Sequence, residues 1–171
     1  MRLGWKKGVR IAAAWGALAA ILACGGNGSG SSGGSTSTTG TVFIGPGFTP
    51  DPAIRTGQAG GTYDGTQRGP GCIGYTSIVS DHMLHLTGDF TNLRVIARSD
   101  ADIALIIAMS DGTYRCNDDA EGLNPIVQGP FPRGIHRIYV GSLQRDVRPT
   151  YTLGVTEMGN VTAAGLQAPA Q

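Results

Sequence analysis

The sequence predicts an all-β protein: a single β-sandwich of jelly-roll type, with about seven or eight short strands around one core. Three observations lead there. Apolar residues alternate with polar ones in short runs; Gly, Pro, Asp and Asn separate those runs; and no segment sustains a helical period. In chain order the runs are "TVFIG" (41–45), "YTSIV" (75–79), "HMLHL" (82–86), "NLRVIARS" (92–99), "DIALIIAM" (102–109), "IHRIYV" (135–140) and "YTLGVTE" (151–157). In the fourth run Leu93, Val95 and Ala97 share one face, with Arg94 and Arg98 on the other. The fifth puts Ile103, Leu105, Ile107 and Met109 on one side and Ala104, Ile106 and Ala108 on the opposite side, as expected of a central strand covered on both faces. The last turns Tyr151, Leu153 and Val155 inward and Thr152 and Thr156 outward. The folded part is expected to span residues 41–170 and to share one core.

The first forty residues read differently. Arg2, Lys6, Lys7 and Arg10 precede a mostly apolar run from Ile11 to Ala23, which is the layout of a secretory signal peptide over residues 1–23. That run is too short to cross a bilayer as a helix, which takes about 20 residues. It ends in "ILAC", which resembles the bacterial lipobox. The resemblance implies cleavage before Cys24, acylation of the Cys24 thiol and anchoring in the cell envelope. With Gly25 rather than Asp next, it also implies sorting to an outer membrane where the organism has one. Residues 24–40 then run "CGGNGSGSSGGSTSTTG", a composition expected to behave as a flexible tether.

Without the leader, nine arginines face twelve acidic residues, a net charge of −3 with no basic stripe, which argues against nucleic acid as a partner. Both tryptophans, Trp5 and Trp15, belong to the leader. With Cys24 assigned to lipid, Cys72 and Cys116 remain, and export favours a disulfide between them.

The segments "GPGCIGYTSIVSDHMLHL", "LRVIARSDADIALIIAMSDGTYRCNDDAEGLNP", "GIHRIYVGSL" and "YTLGVTE" resemble, in order, the bacterial pre-peptidase C-terminal domains, over roughly residues 71–157. The resemblance implies a jelly-roll-like sandwich with an accessory role. It implies no catalytic activity.

"DGTYRCNDDAEGLNP" (111–125) concentrates oxygen ligands. Counted from Asn117, it matches a calcium-binding EF-hand loop in part, but Gln128 stands at the twelfth place, where a bidentate Glu is needed. A looser calcium site remains open, with Asp118, Asp119 and Asn124 joined by Asp100 or Asp102. The alternative is a polar turn pinned by Cys116, since Asp, Asn and Gly are also what turns require. His82 and His85 fall on opposite faces of one strand, so they do not form a histidine pair, and His136 shares the parity of Ile138 and Val140 at the core rim. No nucleophile elbow, zinc motif or phosphate loop is present.

Two classes of function follow. One is a non-catalytic envelope module, held to the membrane by its lipid, that binds an envelope protein or a polysaccharide, with Tyr63, Tyr75, Tyr114, Tyr139 and Tyr151 as candidate stacking faces. It requires no cofactor; the alternative form of it is a calcium-stabilised sandwich that acts as a polysaccharide-binding or protease-associated module. The other is a hydrolase or inhibitor whose site is assembled from residues that the sequence does not connect. The absence of any catalytic constellation favours the first.

Overall fold

The structure, a computed structural model, describes residues 40–168. The leader, Cys24 and the tether up to its last residue lie outside the described residues, and Gly40 already belongs to a strand. Eleven strands follow in order: β1 (Gly40–Ile44), β2 (Ala53–Gln58), β3 (Tyr63–Asp64), β4 (Tyr75–Thr76), β5 (His82–Leu86), β6 (Phe90–Arg98), β7 (Ile103–Ala108), β8 (Tyr114–Asn117), β9 (Ile126–Phe131), β10 (Gly134–Ser142) and β11 (Thr150–Thr156). They form two sheets. The four-stranded sheet runs β2-β11-β6-β9; the seven-stranded sheet runs β1-β5-β10-β4-β3, with β7 on the other edge of β10 and β8 outside β7.

β10 organises the larger sheet. One of its edges takes β5 along Gly134–Ile138 and β4 at Ser142, while the other takes β7 from Arg137 to Ser142. β1 lies parallel to β5, and every other pairing is antiparallel.

Six of the seven sequence runs form strands near their expected bounds. The run 75–79 does not: only Tyr75 and Thr76 pair, and Ile78 and Val79 project into solvent at 74% and 70% exposure. The cause is a change of neighbour. Arg68 holds Thr76 Oγ1 and the Ser77 carbonyl, and the chain then steps along the edge of β10 from Ser142 to Ile138, where β5 takes over. The strands that the sequence does not announce are β2, β3, β8 and β9, and all four lie at sheet edges. An edge strand tolerates Arg, Asn, Gln and Pro because one side of it has no ladder to complete, so β9 accommodates Gly129 and Pro130.

Apolar packing is arranged in three layers. Between the sheets lie Val42, Leu84, Leu86, Leu93, Val95, Leu105, Ile107, Ile138, Leu153 and Val155 among others. On the outer face of the seven-stranded sheet, Cys72, Ile106 and Tyr139 form a second cluster under the segment that leads from β2 to β4. On the outer face of the other sheet, Ile96 packs against Ala163 and Leu166 of the C-terminal segment. Close backbone approach makes the first strap possible: Gly60 has φ of +89°, and a Cβ there would collide with the Val147 carbonyl.

Each strap has its own fastening. Cys72 on the first is bonded to Cys116 of β8, with Cα atoms 5.0 Å apart and a sequence separation of 44. On the second, Arg94 and Arg98 emerge from the outer face, as their parity requires, but there Arg94 is buried and Arg98 half-buried. Arg94 is 7% exposed and donates to the carbonyls of Gly159 and Val161, and Arg98 donates to the Leu166 carbonyl. Glu121 joins the same clamp, 3.9 Å from Arg94 and accepting from the Ala163 N–H.

Two stability predictions follow from these fastenings. Reducing the disulfide should lower stability by up to about 4 kcal/mol, the chain-entropy value for a loop of this length. The loss should appear as a lower urea midpoint, and hydrogen exchange should speed up first in residues 63–76. Arg94→Ala should cost about 1.5–3 kcal/mol, the range for hydrogen bonds from a charged group. It should also raise amide exchange at Ala163 and Leu166 well above that of β11.

Candidate functional site

The acidic loop begins where β8 ends. Because Asn117 pairs with Leu105, the residues after it emerge beside the turn that leads into β7, so Asp118 and Asp119 come within electrostatic reach of Asp102. Asp102 is exposed, and its carboxyl lies above the usual range, first through the desolvation it does suffer and then through the charges of Asp119 and Asp118. Asp100 and Asp119 are exposed and Asp118 is half-buried. Asn124 does not join them, since its Oδ1 accepts the Ser99 N–H at 2.9 Å. Asn117 Oδ1 likewise accepts the Ile126 N–H at 2.8 Å, closing the loop onto β9. Among the described residues no group of three or more His, Cys, Asp or Glu side chains converges tightly enough to hold a metal ion.

The histidines separate as the strand parity requires. His85 turns outward, with its ring centroid 4.1 Å from that of Phe43. His136 is fully buried: its Nδ1 accepts the Ser110 N–H and its Nε2 donates to the Pro132 carbonyl. His82 lies deeper than a rim position. It is 2% exposed, with Nε2 2.7 Å from the Tyr151 hydroxyl. Beside it Asp81 Oδ2 accepts the Val140 N–H at 2.8 Å. This Asp81, His82 and Tyr151 group escaped the sequence reading, although the inward parity of His82 with Leu84 and of Tyr151 with Leu153 pointed toward it.

Burial governs the protonation of the group. It pushes Asp81 up to about 6, against the Val140 hydrogen bond and the charges of Arg148 and Arg68. It pulls His82 down to about 4, helped by the charge of Arg55, and it raises the Tyr151 hydroxyl. Tyr151 also limits its neighbour on β2, because a Cβ on Gly57 would stand 2.5 Å from the hydroxyl oxygen. At neutral pH the group therefore holds one neutral imidazole and one protonated phenol, packed against backbone.

Most of the tyrosines named as stacking faces are already engaged. Arg68 lies over the Tyr139 ring at 3.6 Å and the Tyr63 ring at 4.6 Å, and Arg145 sits 5.8 Å from the Tyr75 ring. Tyr151 is buried against His82. Tyr114, at 39% exposure, keeps an open face.

The sandwich is closed along one side and open along the other. On the closed side β8 and β9 are linked by Asn117 to Ile126 and by Arg115, which donates to the Pro130 carbonyl. On the open side, between the edge strands β1 and β2, runs a groove of about 510 Å³ lined by Val42, Ile44, Phe48, Pro50, Pro52 and Ala53, with Arg55 and Gln167 also on its wall. None of Asp81, His82 and Tyr151 lines it.

No protein-family model matches the chain, and no curated protein matches it. Among solved structures it is similar to the pre-peptidase C-terminal domain of a collagenase from Bacillus anthracis, at 13% identity over 68% of this chain and 94% of that one, with a TM-score of 0.44.

The buried group gives a pH prediction with two opposing parts. Asp81, raised in the folded state, binds more protons there than in the unfolded chain, so its contribution to stability falls as pH rises from about 4 to about 6. His82, depressed in the folded state, binds fewer, so its contribution rises from about pH 4 to 6.5. The two offset each other in the wild type. Asp81→Asn should leave a urea midpoint that climbs more steeply with pH across this window, and His82→Gln should leave one that declines. Parallel profiles in all three proteins would show that neither group is perturbed.

Proposed function

We propose that the chain is an exported lipoprotein, anchored through acylated Cys24, that presents a non-catalytic β-sandwich as a binding or accessory module of the cell envelope. The observation that carries this reading is where the reactive chemistry sits. Of the strongly perturbed groups, His82 and Tyr151 are buried and hydrogen-bonded to each other and half-buried Asp81 holds the Val140 N–H, while the groove at the β1/β2 seam is mostly apolar. Catalysis by a hydrolase asks for a nucleophile or base that a substrate can reach. An apolar groove beside two strand edges instead suits recognition of another chain.

This favours an envelope protein over a polysaccharide as partner, because four of the five tyrosines already carry an arginine or a histidine. The quoted resemblance to pre-peptidase C-terminal domains supports the accessory role, and the lipobox-like "ILAC" supports the anchor. The acidic rim is assigned to solvation rather than to calcium, since Asn124 Oδ1 is occupied and the carboxylates do not converge.

Detergent phase partition tests the anchor. Wild-type protein expressed in a bacterium should enter the detergent phase, and Cys24→Ser should move it to the aqueous phase or leave an uncleaved precursor. Wild-type protein recovered only from the aqueous phase would end the lipoprotein reading.

A further inference from the structure

The outer face of the seven-stranded sheet is covered over only part of its width. The strap from β2 to β4 shields Ile106 and Tyr139, but the β1, β5 and β10 portion stays bare. Phe43, His85 and Ile135 sit side by side there in one cross-strand row, and Thr41, Met83 and Arg137 form the next. Phe43 is 63% exposed, Ile135 47% and Met83 41%. Ile78 and Val79, the two most exposed large apolar residues described, lie on the loop that enters β5. Phe43, Met83 and Ile135 thus share one bare stretch of sheet, with Ile78 and Val79 on the loop that adjoins it, whereas the other exposed large apolar residues, Tyr114, Leu123, Val147 and Met158, are scattered singly; such a patch marks an interaction surface.

We infer that this patch docks the domain onto the lipid surface that holds Cys24, an inference that rests on the lipoprotein reading above. The covalent route of the chain selects this occupant. The described structure begins at Gly40, which pairs with His82 in β5, so the chain arrives at the patch itself, three residues before Phe43. Only residues 25–39 separate it from Cys24. A coil of that length has a root-mean-square reach of roughly 19–23 Å. A tether this short gives the bilayer an effective concentration on the order of millimolar at the patch, enough for a weak apolar surface to remain seated.

Charge is distributed to match. Arg137 stands beside Met83 in the second row, and cationic side chains favour anionic headgroups. The acidic rim of Asp100, Asp102, Asp118 and Asp119 belongs to the other end of the sheet, where Ser142 pairs with Ile103. Ile135 and Ser142 are separated along β10 by roughly 24 Å of strand at the rise of an antiparallel sheet. Asp111 and Asp89, at the same end of the sheet as the patch, have their Oδ1 atoms engaged by Thr113 and by the Arg133 N–H, and half-buried Asp81, beside the loop of Ile78 and Val79, holds the Val140 N–H.

Single-tryptophan probes can test this, because no tryptophan survives leader removal. Full-length acylated Val79→Trp, Met83→Trp and Leu123→Trp would each be reconstituted into vesicles of phosphatidylethanolamine and phosphatidylglycerol, with and without bromine on the acyl chains. Leu123 lies in the acidic loop and is 49% exposed, so it serves as the remote control. Docking requires Val79→Trp and Met83→Trp emission to shift to the blue and to lose most of its intensity in brominated vesicles, while Leu123→Trp is unaffected. Protein that sediments with the vesicles but shows no quenching at either patch probe overturns the docking and leaves the anchor standing. Protein that does not sediment with them overturns both. Equal quenching at all three positions would show non-specific contact and would also defeat the inference.

Discussion

The structure depends on one constraint: β7 is apolar on both faces. Ile103, Leu105 and Ile107 point into the space between the sheets, and Ile106, flanked by Ala104 and Ala108, points outward. A strand in a simple two-layer sandwich can leave its outer face polar, but this one cannot, so a third layer has to lie over it. The chain supplies that layer from the segment between β2 and β4. The disulfide from Cys72 to Cys116 fastens the layer to β8, and Arg68 wedges between Tyr63 and Tyr139 to complete it. The brevity of β4 follows, since the segment reaches β10 only at Ser142 before the edge passes to β5.

The smaller sheet solves the same problem by different chemistry. Ile96 on its outer face is covered by Ala163 and Leu166, and the cover is held by guanidinium groups rather than by a covalent bond. Backbone carbonyls around Nη1 and Glu121 near Nη2 replace part of the water that Arg94 gives up, while its Nε is buried without a partner. Glu121 thereby connects the acidic loop to the C-terminal segment, so the loop serves structure at one end while Asp119 remains in solvent at the other. The straps cover the outer faces only in part, and among the surfaces left uncovered are the β1/β2 seam and the β1, β5 and β10 face. Both lie beside the point where the chain enters the fold.

Candidate-site residues were legible to the extent that parity and pairing decide them. Strand alternation places His85 and His136 correctly and separates His82 from His85, because side-chain direction is a local property of an extended backbone. It could not show that Tyr151, 69 residues away, meets His82, since that contact crosses from one sheet to the other. The tyrosines illustrate the same limit. Composition names them as free aromatic faces, but Arg68 and Arg145 occupy three of them through contacts made on the folded surface.

By itself, the sequence determined the all-β class, most central strands, and the cysteine pair that the structure joins, because alternation and cysteine count are readable without knowing what lies across the sheet. Tertiary structure alone decided the four edge strands, the truncation at Thr76, the covering of Arg94 and Arg98, and the spending of Asn124 on Ser99. These outcomes turn on which groups meet across the fold. A polar residue written in a strand pattern looks the same whether water, a carbonyl or another segment of the chain will satisfy it.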